Sequence, residues 1–255
     1  MADPVEVFQA DALAGTRHGF LGRRGGVSTG LVAGLNAGLG SPDEAQAVDQ
    51  NRALALEAVA SGCRLVSVYQ VHSATCVTVA EPWSNLDRPQ ADALVTDRAG
   101  LALGIVTADC APVLLADTQA GVIGAAHAGW KGAVAGVTDS TIAAMEALGA
   151  RRGRIAAAVG PCIAQASYEV DCSFADRLRG DDPGNARFFA AGRPGHAWFD
   201  LELYVAQRLE SAGIGRIERL GLDTYPDPAR FFSYRRATHL GEPAYGRQLA
   251  LIALA

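Results

Sequence analysis

Long uninterrupted apolar segments are missing from this 255-residue sequence. The most apolar stretches, 101–106 and 113–116, have the length of a β-strand and fall well short of the roughly 20 residues that a transmembrane helix needs. The N-terminus carries acidic residues and a proline where a secretory signal needs a basic start and an apolar stretch. We therefore expect a cytoplasmic protein that does not span a membrane.

An excess of basic residues is also absent. The chain has 22 Lys and Arg residues against 27 Asp and Glu residues, spread along its length. Proteins that bind the phosphate backbone of nucleic acids present a basic surface. Nucleic acid is therefore not an expected partner.

Cysteine pairing motifs are lacking as well. The five cysteines form an odd set without CxxC spacing, which suits reduced thiols in a cytosol better than a disulfide framework. Chemistry at a cysteine would then be metal binding or nucleophilic catalysis. The five are Cys63, Cys76, Cys110, Cys162 and Cys172.

Three segments have the features of helices, and no repeat or low-complexity tract divides the chain. The segment 41–62 opens with a capping serine and a proline and closes on a glycine. Two further helices are predicted over about 133–148 and from 200 to 213. Residues 1–255 are predicted to form a single domain.

Short apolar runs rich in β-branched residues predict strands between and after these helices. The connection 117–121 resembles a hairpin turn, so part of the sheet is antiparallel and helices cover it. The stretch 179–196, rich in Gly, Pro and charge, is predicted to be a surface loop. The predicted strands are 65–71, 74–80, 92–96, 101–107, 112–116, 121–126, 154–159 and 217–222.

A thiol and an imidazole follow predicted strands in the segment from 101 to 132. Cys110 comes after the strand 101–107, and His127 comes after the strand 121–126. If the strand 112–116 turns back into 121–126, the matching strand lengths bring both side chains to the same end of the sheet.

His72 stands in a predicted turn between two strands and supplies a third donor. One Cys and two His residues suit zinc, with the fourth position open for water or substrate. A metal there would lower the pKa of bound water or polarise a substrate atom. Asp109, next to Cys110, is a candidate to orient a ligand imidazole or to act as general acid or base.

Two other interpretations use the same residues. Cys110 can act as a thiolate nucleophile with His127 as its base and no metal. Alternatively, the thiol is a buried side chain without chemistry and His72 is a hydrogen-bonded turn residue. The spacing alone leaves all three interpretations open.

Basic residues in two segments are candidates for binding an anion. The glycine-rich segment RRGGVSTG places Arg23 and Arg24 beside flexible backbone, although a loop with solvated arginines is equally compatible. Lys131 immediately precedes a predicted helix, whose first N–H groups also favour an anion. The hypothesis is an anion pocket that faces the metal.

Other polar residues are expected to have structural roles. Cys162 in GPCIAQASYEV is predicted to be an inert thiol, and DPARFFSYRR is predicted to be a packing segment, although Ser233 and Arg235 could reach a ligand. The remaining histidines, which lack ligand-type partners at useful spacing, are expected to be structural or exposed: His18, His196 and His239.

A series of motifs resembles, in order, the bacterial purine nucleoside phosphorylase family, whose members also carry the names laccase-domain protein and polyphenol oxidase. The resemblance runs from about residue 18 to the C-terminus, and TADC followed by HAGW is its most specific part. The motifs are HGFLGRRGGVSTG, GLNAGLG, NRALA, QVHSATCV, ADALVTD, TADCAPVLLAD, AAHAGWKG, VGPCIAQASYEV and FFSYRR.

This resemblance implies zinc, with copper as the alternative, at His72, Cys110 and His127. It implies an α+β fold of layered mixed sheets with helices outside (α/β/β/α), related to toxin deamidases with a Cys-His pair. The expected activities are phosphorolysis of adenosine, inosine and S-methyl-5′-thioadenosine, and deamination of adenosine. The partners would be a nucleoside and phosphate, the latter gathered by Arg23, Arg24 or Lys131.

The sequence departs from the family pattern at one point and excludes one interpretation of the family name. Asp223 begins DTY where many relatives have CTY, so any role of that cysteine is absent here. A multicopper laccase site would need two His and a Cys at its blue-copper centre and about eight further histidines. Because the chain has five histidines, a complete site of that kind is excluded.

A copper-binding polyphenol oxidase, with copper at the Cys-His-His group, is an alternative function, because only a complete multicopper site is excluded. Two further functions are also compatible with the sequence. The first is hydrolysis of an amide in cytoplasmic peptidoglycan precursors, in which a misincorporated amino acid is removed from a nucleotide-linked muramic acid. The second is a partner-binding module without catalysis. The oligomeric state is not predicted.

Overall fold

Two large β-sheets packed face to face form the centre of the structure, a computed structural model that describes residues 4–255. The strands are β1 (Val7–Phe8), β2 (Thr16–Leu21), β3 (Arg64–Ser67), β4 (Cys76–Thr78), β5 (Ala93–Thr96), β6 (Leu101–Thr107), β7 (Ala111–Asp117), β8 (Val122–Ala128), β9 (Ala156–Val159), β10 (Glu169–Asp171), β11 (Phe189–Ala191), β12 (His196–Phe199), β13 (Arg216–Arg219) and β14 (Gln248–Leu254).

Helices cover the outer faces of these sheets. One sheet has five strands in the order β1-β2-β14-β6-β3, the other has six in the order β13-β9-β7-β8-β5-β4, and β10-β12-β11 form a small third sheet. The helices are α1 (Ala45–Ala60), α2 (Trp130–Ala135), α3 (Val137–Ala147), α4 (Cys172–Asp181), α5 (Leu201–Ser211) and α6 (Tyr234–Leu240).

The layers follow from alternation of side chains along buried strands. Leu114 of β7 packs between the two large sheets, whereas its neighbours Val113 and Leu115 pack with the helix side. There they join Met145 of α3 and Val205 of α5. Each leucine that is fully buried contributes about 1.5–3 kcal/mol of transfer free energy, so both faces of β7 stabilise the stack.

The opposite face repeats this arrangement. Leu249 and Leu251 of β14 pack in one cluster with Ala55 of α1. The order of layers is therefore helix, sheet, sheet, helix. The predicted α+β fold with layered mixed sheets is confirmed.

The hairpin β7–β8 sets one end of the six-stranded sheet. Its turn is closed by the Asp117 carboxylate, which accepts hydrogen bonds from two backbone N–H groups of the turn. The antiparallel register places Pro112 opposite His127. Cys110, two residues before Pro112, therefore lies at the same end of the sheet as His127, as predicted.

Two predicted helices have different bounds. The first begins at Ala45, because the Ser41 hydroxyl is bonded within the preceding loop, where it donates to the Gly38 carbonyl at 2.5 Å and accepts from the Asn36 amide at 2.7 Å. The prediction of Ser41 as its cap was wrong. The second is interrupted at Gly136, whose left-handed φ of 92° separates α2 from α3.

The stretch 179–196 lies at the surface as predicted, with Phe188 as its one buried residue, but the prediction of a loop was wrong. This stretch contains the end of α4, a 3₁₀ helix over Pro183–Phe188 and the strand β11. Phe188 is buried, and its ring meets that of Tyr204 edge to face at 5.1 Å between centroids. Glycine and proline in this stretch separate short elements, and its two phenylalanines pack inward.

Most strands between α1 and α2 lie close to their predicted positions, with ends that differ by a few residues. Outside that region, the sequence pattern did not reveal β1, β2, β10, β11, β12 or β14. Within residues 4–255, no helix is both long and apolar enough to cross a bilayer.

His18 is a buried histidine of β2 with a structural role. Its Nε2 accepts a hydrogen bond from the Ala10 N–H at 3.0 Å, and burial lowers its pKa, with only partial opposition from the Glu218 carboxylate. The neutral ring is therefore the form that fits the folded state.

Acidification should weaken this contact. Below the unfolded pKa of about 6.5, the unfolded chain binds a proton that folded His18 resists, so the free energy of unfolding decreases until the lowered folded pKa is passed. We expect His18→Asn to flatten the decrease between about pH 7.5 and 5.5 in urea titrations. His239→Asn, at an exposed position, is the control, and an unchanged slope in His18→Asn would contradict the expectation.

Candidate metal centre

His72, Cys110 and His127 come together at one end of the sheets. Their ligand atoms lie within 4.8 Å of one another, and the Cys110 Sγ is 3.9 Å from the His72 Nε2. The two imidazole rings meet edge to face with 4.7 Å between centroids. His127 belongs to β8, Cys110 lies between β6 and β7, and His72 lies in the loop from β3 to β4.

The carboxylate of Asp92, just before β5, positions both histidines. Its Oδ1 accepts hydrogen bonds from the His127 Nδ1 at 2.8 Å and from the His72 backbone N–H at 2.9 Å. Its Oδ2 accepts from the N–H groups of Val71 and Ser73 and from the Ser73 hydroxyl. Because Nδ1 of His127 is held by Asp92, its Nε2 is left as the free ligand atom.

The charges in this group favour a thiolate. Burial alone would raise the pKa of Cys110, but the adjacent His127, and then His72, lower it to about 6. Burial opposes protonation of His127, whereas the Cys110 sulfur and the Asp92 carboxylate raise its pKa to about 9. A thiolate is both the zinc-binding form of cysteine and the nucleophilic form.

Gly129 leaves room beside the sulfur. A Cβ at this position would lie 2.8 Å from the Cys110 Sγ and 3.0 Å from the His72 Cδ2. The backbone of Gly129, at φ −68° and ψ 160°, is one that any residue adopts, so glycine is required by space and not by conformation. Because Gly129 has no side chain, the space between the Cys110 sulfur and the His72 imidazole stays open.

The donor set and its spacing fit zinc. Zn–S and Zn–N bonds of about 2.3 and 2.0–2.1 Å put tetrahedral ligand atoms roughly 3.3–3.6 Å apart. The Cys110 Sγ lies 3.9 Å from the His72 Nε2 and all ligand atoms lie within 4.8 Å of one another, so small side-chain adjustments would let them meet on one ion.

Asp109 has a structural role that the sequence did not indicate. Its carboxylate accepts hydrogen bonds from the Thr224 hydroxyl at 2.6 Å, the Ser233 hydroxyl at 3.0 Å and the Arg235 N–H at 2.6 Å. The imidazole-orienting role predicted for Asp109 belongs to Asp92 instead.

The backbone is strained on both sides of the centre. Among residues 4–255, His72 and Asp109 are the non-glycine residues with left-handed φ values, 62° and 82°. Such a conformation costs of order 1–3 kcal/mol and persists where surrounding contacts hold it. His72 is held by its backbone hydrogen bond to Asp92. Asp109 is held by the hydrogen bonds that it accepts from Thr224, Ser233 and Arg235.

Two cavities border Cys110. The larger, about 570 Å³, is lined by tyrosines and arginines from distant segments: Tyr69, Arg88, Tyr234, Tyr245 and Arg247. The smaller, about 400 Å³, is lined by Trp130, Lys131, Tyr168, Leu201 and Arg235. His72, Ala108, Cys110 and Tyr234 border both cavities, so the two are compartments of one cleft.

Of the three basic residues predicted to bind an anion, the structure places one beside Cys110. Lys131 borders the smaller cavity. Arg23 donates to the carbonyls of Ala33 and Pro228, and Arg24 donates to that of Ala229. Within residues 4–255, the linings of the two cavities include neither arginine, so the structure does not bring Arg23 and Arg24 to the centre.

The site contains residues that sequence reasoning missed. Asp92 stands within the motif ADALVTD, and Arg247 lies in the C-terminal segment, more than 100 residues from Cys110. Only the resemblance of ADALVTD to a motif of the family pointed toward Asp92. Arg235 was noted as able to reach a ligand, and it borders the smaller cavity.

A family model described as multi-copper polyphenol oxidoreductase laccase matches residues 17–255. The chain belongs to this family. The curated relatives include proteins named purine nucleoside phosphorylase. The one from Deinococcus radiodurans is 41% identical over 222 residues, which cover 86% of this chain and 83% of the relative. The one from Streptomyces coelicolor, SCO2081, is 38% identical over 237 residues, which cover 92% and 96%.

Solved structures of similar proteins share the whole architecture. The Neisseria meningitidis protein NMB0706 superposes with a TM-score of 0.88 at 32% identity and covers 98% of this chain and 99% of its own. YlmD from Geobacillus stearothermophilus superposes with a TM-score of 0.89 at 30% identity and covers 99% of both chains.

Asp223, where the sequence departs from the family motif, is a loop anchor in this member of the family. Its carboxylate accepts hydrogen bonds from the N–H groups of Ala164 and Tyr225 and from the Ser167 hydroxyl. Asp223 also pairs with Cys162 in an isolated β-bridge. Cys162 is buried, which raises the pKa of its thiol well above the usual range, in keeping with the expected inert role.

Filling the space beside Gly129 with a methyl group should weaken metal binding without unfolding the chain. We expect Gly129→Ala to lower zinc affinity at least about tenfold, because the new methyl group contacts the sulfur. Gly153→Ala, whose Cβ would meet nothing within 4 Å, is the matched control. Zinc titration against a competing chelator measures both, and equal affinities in the two variants would contradict this role.

Removing the carboxylate of Asp92 should affect both histidines. We expect Asp92→Asn to lower zinc affinity about 10–100-fold, as for other partners of a ligand imidazole. Asp117→Asn is the control, because that carboxylate is also buried and hydrogen-bonded but lies at the opposite end of β7. Both variants should be less stable, so an affinity loss shared equally by them would refute a specific role for Asp92.

Proposed function

We propose that this protein is a zinc-dependent purine nucleoside phosphorylase whose reaction takes place in the cleft at His72, Cys110 and His127. The observation that carries the proposal is the convergence of a thiolate and two oriented imidazoles between two cavities that hold aromatic and cationic side chains. The names of the curated relatives support the same reaction class.

The three side chains would hold zinc, and each has a reason to do so. Cys110 supplies a thiolate, His127 presents Nε2 because Asp92 holds its Nδ1, and His72 is fixed through its own backbone N–H. Zinc bound there would act as a Lewis acid toward a polar substrate atom at an open fourth position.

The charge of the cleft supports an anionic co-substrate. The larger cavity is lined by Arg88 and Arg247 and the smaller by Lys131 and Arg235. Among the described residues that line either cavity, Asp109 is the one carboxylate, and three donors already bind it. The chain as a whole has a net charge of −5, so its cleft differs in sign from the rest of the protein.

The smaller cavity is the proposed phosphate site. Lys131 offers an ammonium group beside Cys110, and Arg235 offers guanidinium N–H groups from α6. A phosphate oxygen would form a bond to the ribose C1′ while the C1′–N9 bond breaks and its electron pair moves onto the purine, which takes up a proton. The tyrosines of the larger cavity would stack on the purine.

Deamination of adenosine is proposed as a slower side reaction at the same centre. Zinc deaminases use a glutamate that is not a ligand as their general acid and base. The carboxylate of Asp109, the counterpart nearest to Cys110 along the chain, is occupied by Thr224, Ser233 and Arg235. Phosphorolysis requires no such group, because phosphate itself carries the attacking oxygen.

We further propose that the protein works as one catalytic domain in the cytoplasm. The core between the large sheets joins residues from both ends of the chain, such as Phe20 and Ile252. The five cysteines are all free, as a reducing compartment would keep them.

The products of inosine test the proposal. Protein purified without a histidine tag, with its zinc content measured, should convert inosine and phosphate to hypoxanthine and ribose 1-phosphate. Chelation should abolish turnover and zinc should restore it, whereas Cys110→Ala should not be rescued. Hypoxanthine formation without phosphate, or no turnover by the zinc-loaded protein, would count against phosphorolysis.

The phosphate site can be tested separately. We expect Lys131→Gln and Arg235→Gln each to raise the KM for phosphate about tenfold, which corresponds to about 1.4 kcal/mol of lost binding. Arg24→Gln is the control, because its guanidinium is bonded to the Ala229 carbonyl outside the cleft. Since Lys131 is the only lysine of the chain, lysine-directed methylation with and without phosphate provides an independent measurement. An unchanged KM in both cleft variants would exclude this location.

A further inference from the structure

We propose that Arg88 and Arg247 form a second anion subsite, so that the preferred substrate is a purine nucleoside carrying a phosphoryl group of its own. The chemical class is a nucleoside 5′-monophosphate. The inference rests on the proposed phosphorolysis and assigns a substrate class to the same cleft.

The first observation is the number of cations. A single phosphate co-substrate matches one pair, Lys131 and Arg235, and a nucleoside is neutral. Arg88 and Arg247 both line the larger cavity, which also borders Cys110. Within residues 4–255, none of these four cations has a carboxylate within ion-pair distance, and no acidic side chain lines the larger cavity.

The second observation is that Arg247 is held in place. Its backbone N–H donates to the Asn36 Oδ1 at 2.9 Å, and its guanidinium lies over the Tyr245 ring, 4.8 Å from the ring centroid. A Cβ on Gly38 would lie 3.1 Å from its Cδ and Nη1. The motif GLNAGLG, which the proposed catalysis does not otherwise use, thus provides the space in which this arginine lies.

Arg88 is held in a comparable way. Its Nε donates to the Asn85 carbonyl at 2.7 Å, and its guanidinium lies 5.8 Å from the centroid of the Tyr69 ring. A guanidinium fixed on an aromatic face keeps further N–H donors for a phosphate, which it binds through two parallel hydrogen bonds. Both arginines are therefore pre-positioned at modest entropic cost for an anion.

The reaction balances with such a substrate. Inorganic phosphate forms the new C1′–O bond, the C1′–N9 bond breaks, and the purine leaves with the electron pair and takes up a proton. The second product is a pentose that carries phosphoryl groups at C1 and C5. No oxidant or further co-reactant is needed.

Inosine and inosine 5′-monophosphate are the probes. We expect the zinc-loaded protein to show at least tenfold higher kcat/KM for the nucleotide, mainly through KM. Binding of both probes by calorimetry should show the same preference, and this measurement decides the subsite even if neither probe is turned over. Turnover of inosine with no preference for the nucleotide in either measurement would overturn the second subsite alone, whereas absent turnover of both would overturn the proposed phosphorolysis.

Three variants locate the preference. Arg88→Gln/Arg247→Gln should remove most of it, and Gly38→Ala should reduce it by displacing the Arg247 side chain while its charge is retained. Arg64→Gln, at an exposed strand position, should keep it. If the double variant instead raises the KM for inorganic phosphate and leaves the nucleotide preference intact, the pair binds the co-substrate and the proposal is wrong.

Discussion

The carboxylate of Asp92 is the contact on which the rest of the centre depends. It is fully buried, and its two oxygens accept hydrogen bonds from His127 and from the loop that carries His72. These donors keep its pKa at about 2 although burial opposes the charge. A single buried charge therefore orients one imidazole through its ring and the other through its backbone, and the strained φ of His72 is held by the same bonds. Cys110 then needs only the register of the β7–β8 hairpin to face them.

A second buried carboxylate organises the other wall of the cleft. Asp109 joins Thr224, the N-cap residue Ser233 and the start of α6, which brings Tyr234 and Arg235 to the cavities beside Cys110. Asp92 thus fixes the two histidines and Asp109 fixes the helix that borders the cleft. The oxygens of both acids are occupied by these donors, and within residues 4–255 neither acid forms an ion pair with a lysine or arginine of the cleft. An acidic chain thereby presents a cationic site.

The sequence was sufficient for features that depend on local patterns. Short apolar runs rich in β-branched residues predicted β5 to β8, and the matching lengths of β7 and β8 predicted that Cys110 and His127 would meet. Features that depend on long-range packing were not accessible. Ser41 stands where a helix cap is expected but is hydrogen-bonded to Gly38 and Asn36. The partner of Asp92, His127, lies 35 residues away, so the residues next to Asp92 do not indicate this contact. Arg23 and Arg24 looked available for an anion because their carbonyl partners lie up to 205 residues away.

The geometry also bears on the choice between a metal ligand and a nucleophile at Cys110. A cysteine nucleophile needs one base, and that base needs one orienting group. Here the sulfur faces two imidazoles, and the second of them, His72, is held in an unfavourable backbone conformation at the mouth of the cleft. A Cys-His pair would function without His72, whereas a three-donor site would use it. The open space beside Gly129 lies between the sulfur and His72, where an ion that bridges them would need room. The cost of holding His72 in place therefore favours a group of three potential metal ligands over a Cys-His pair.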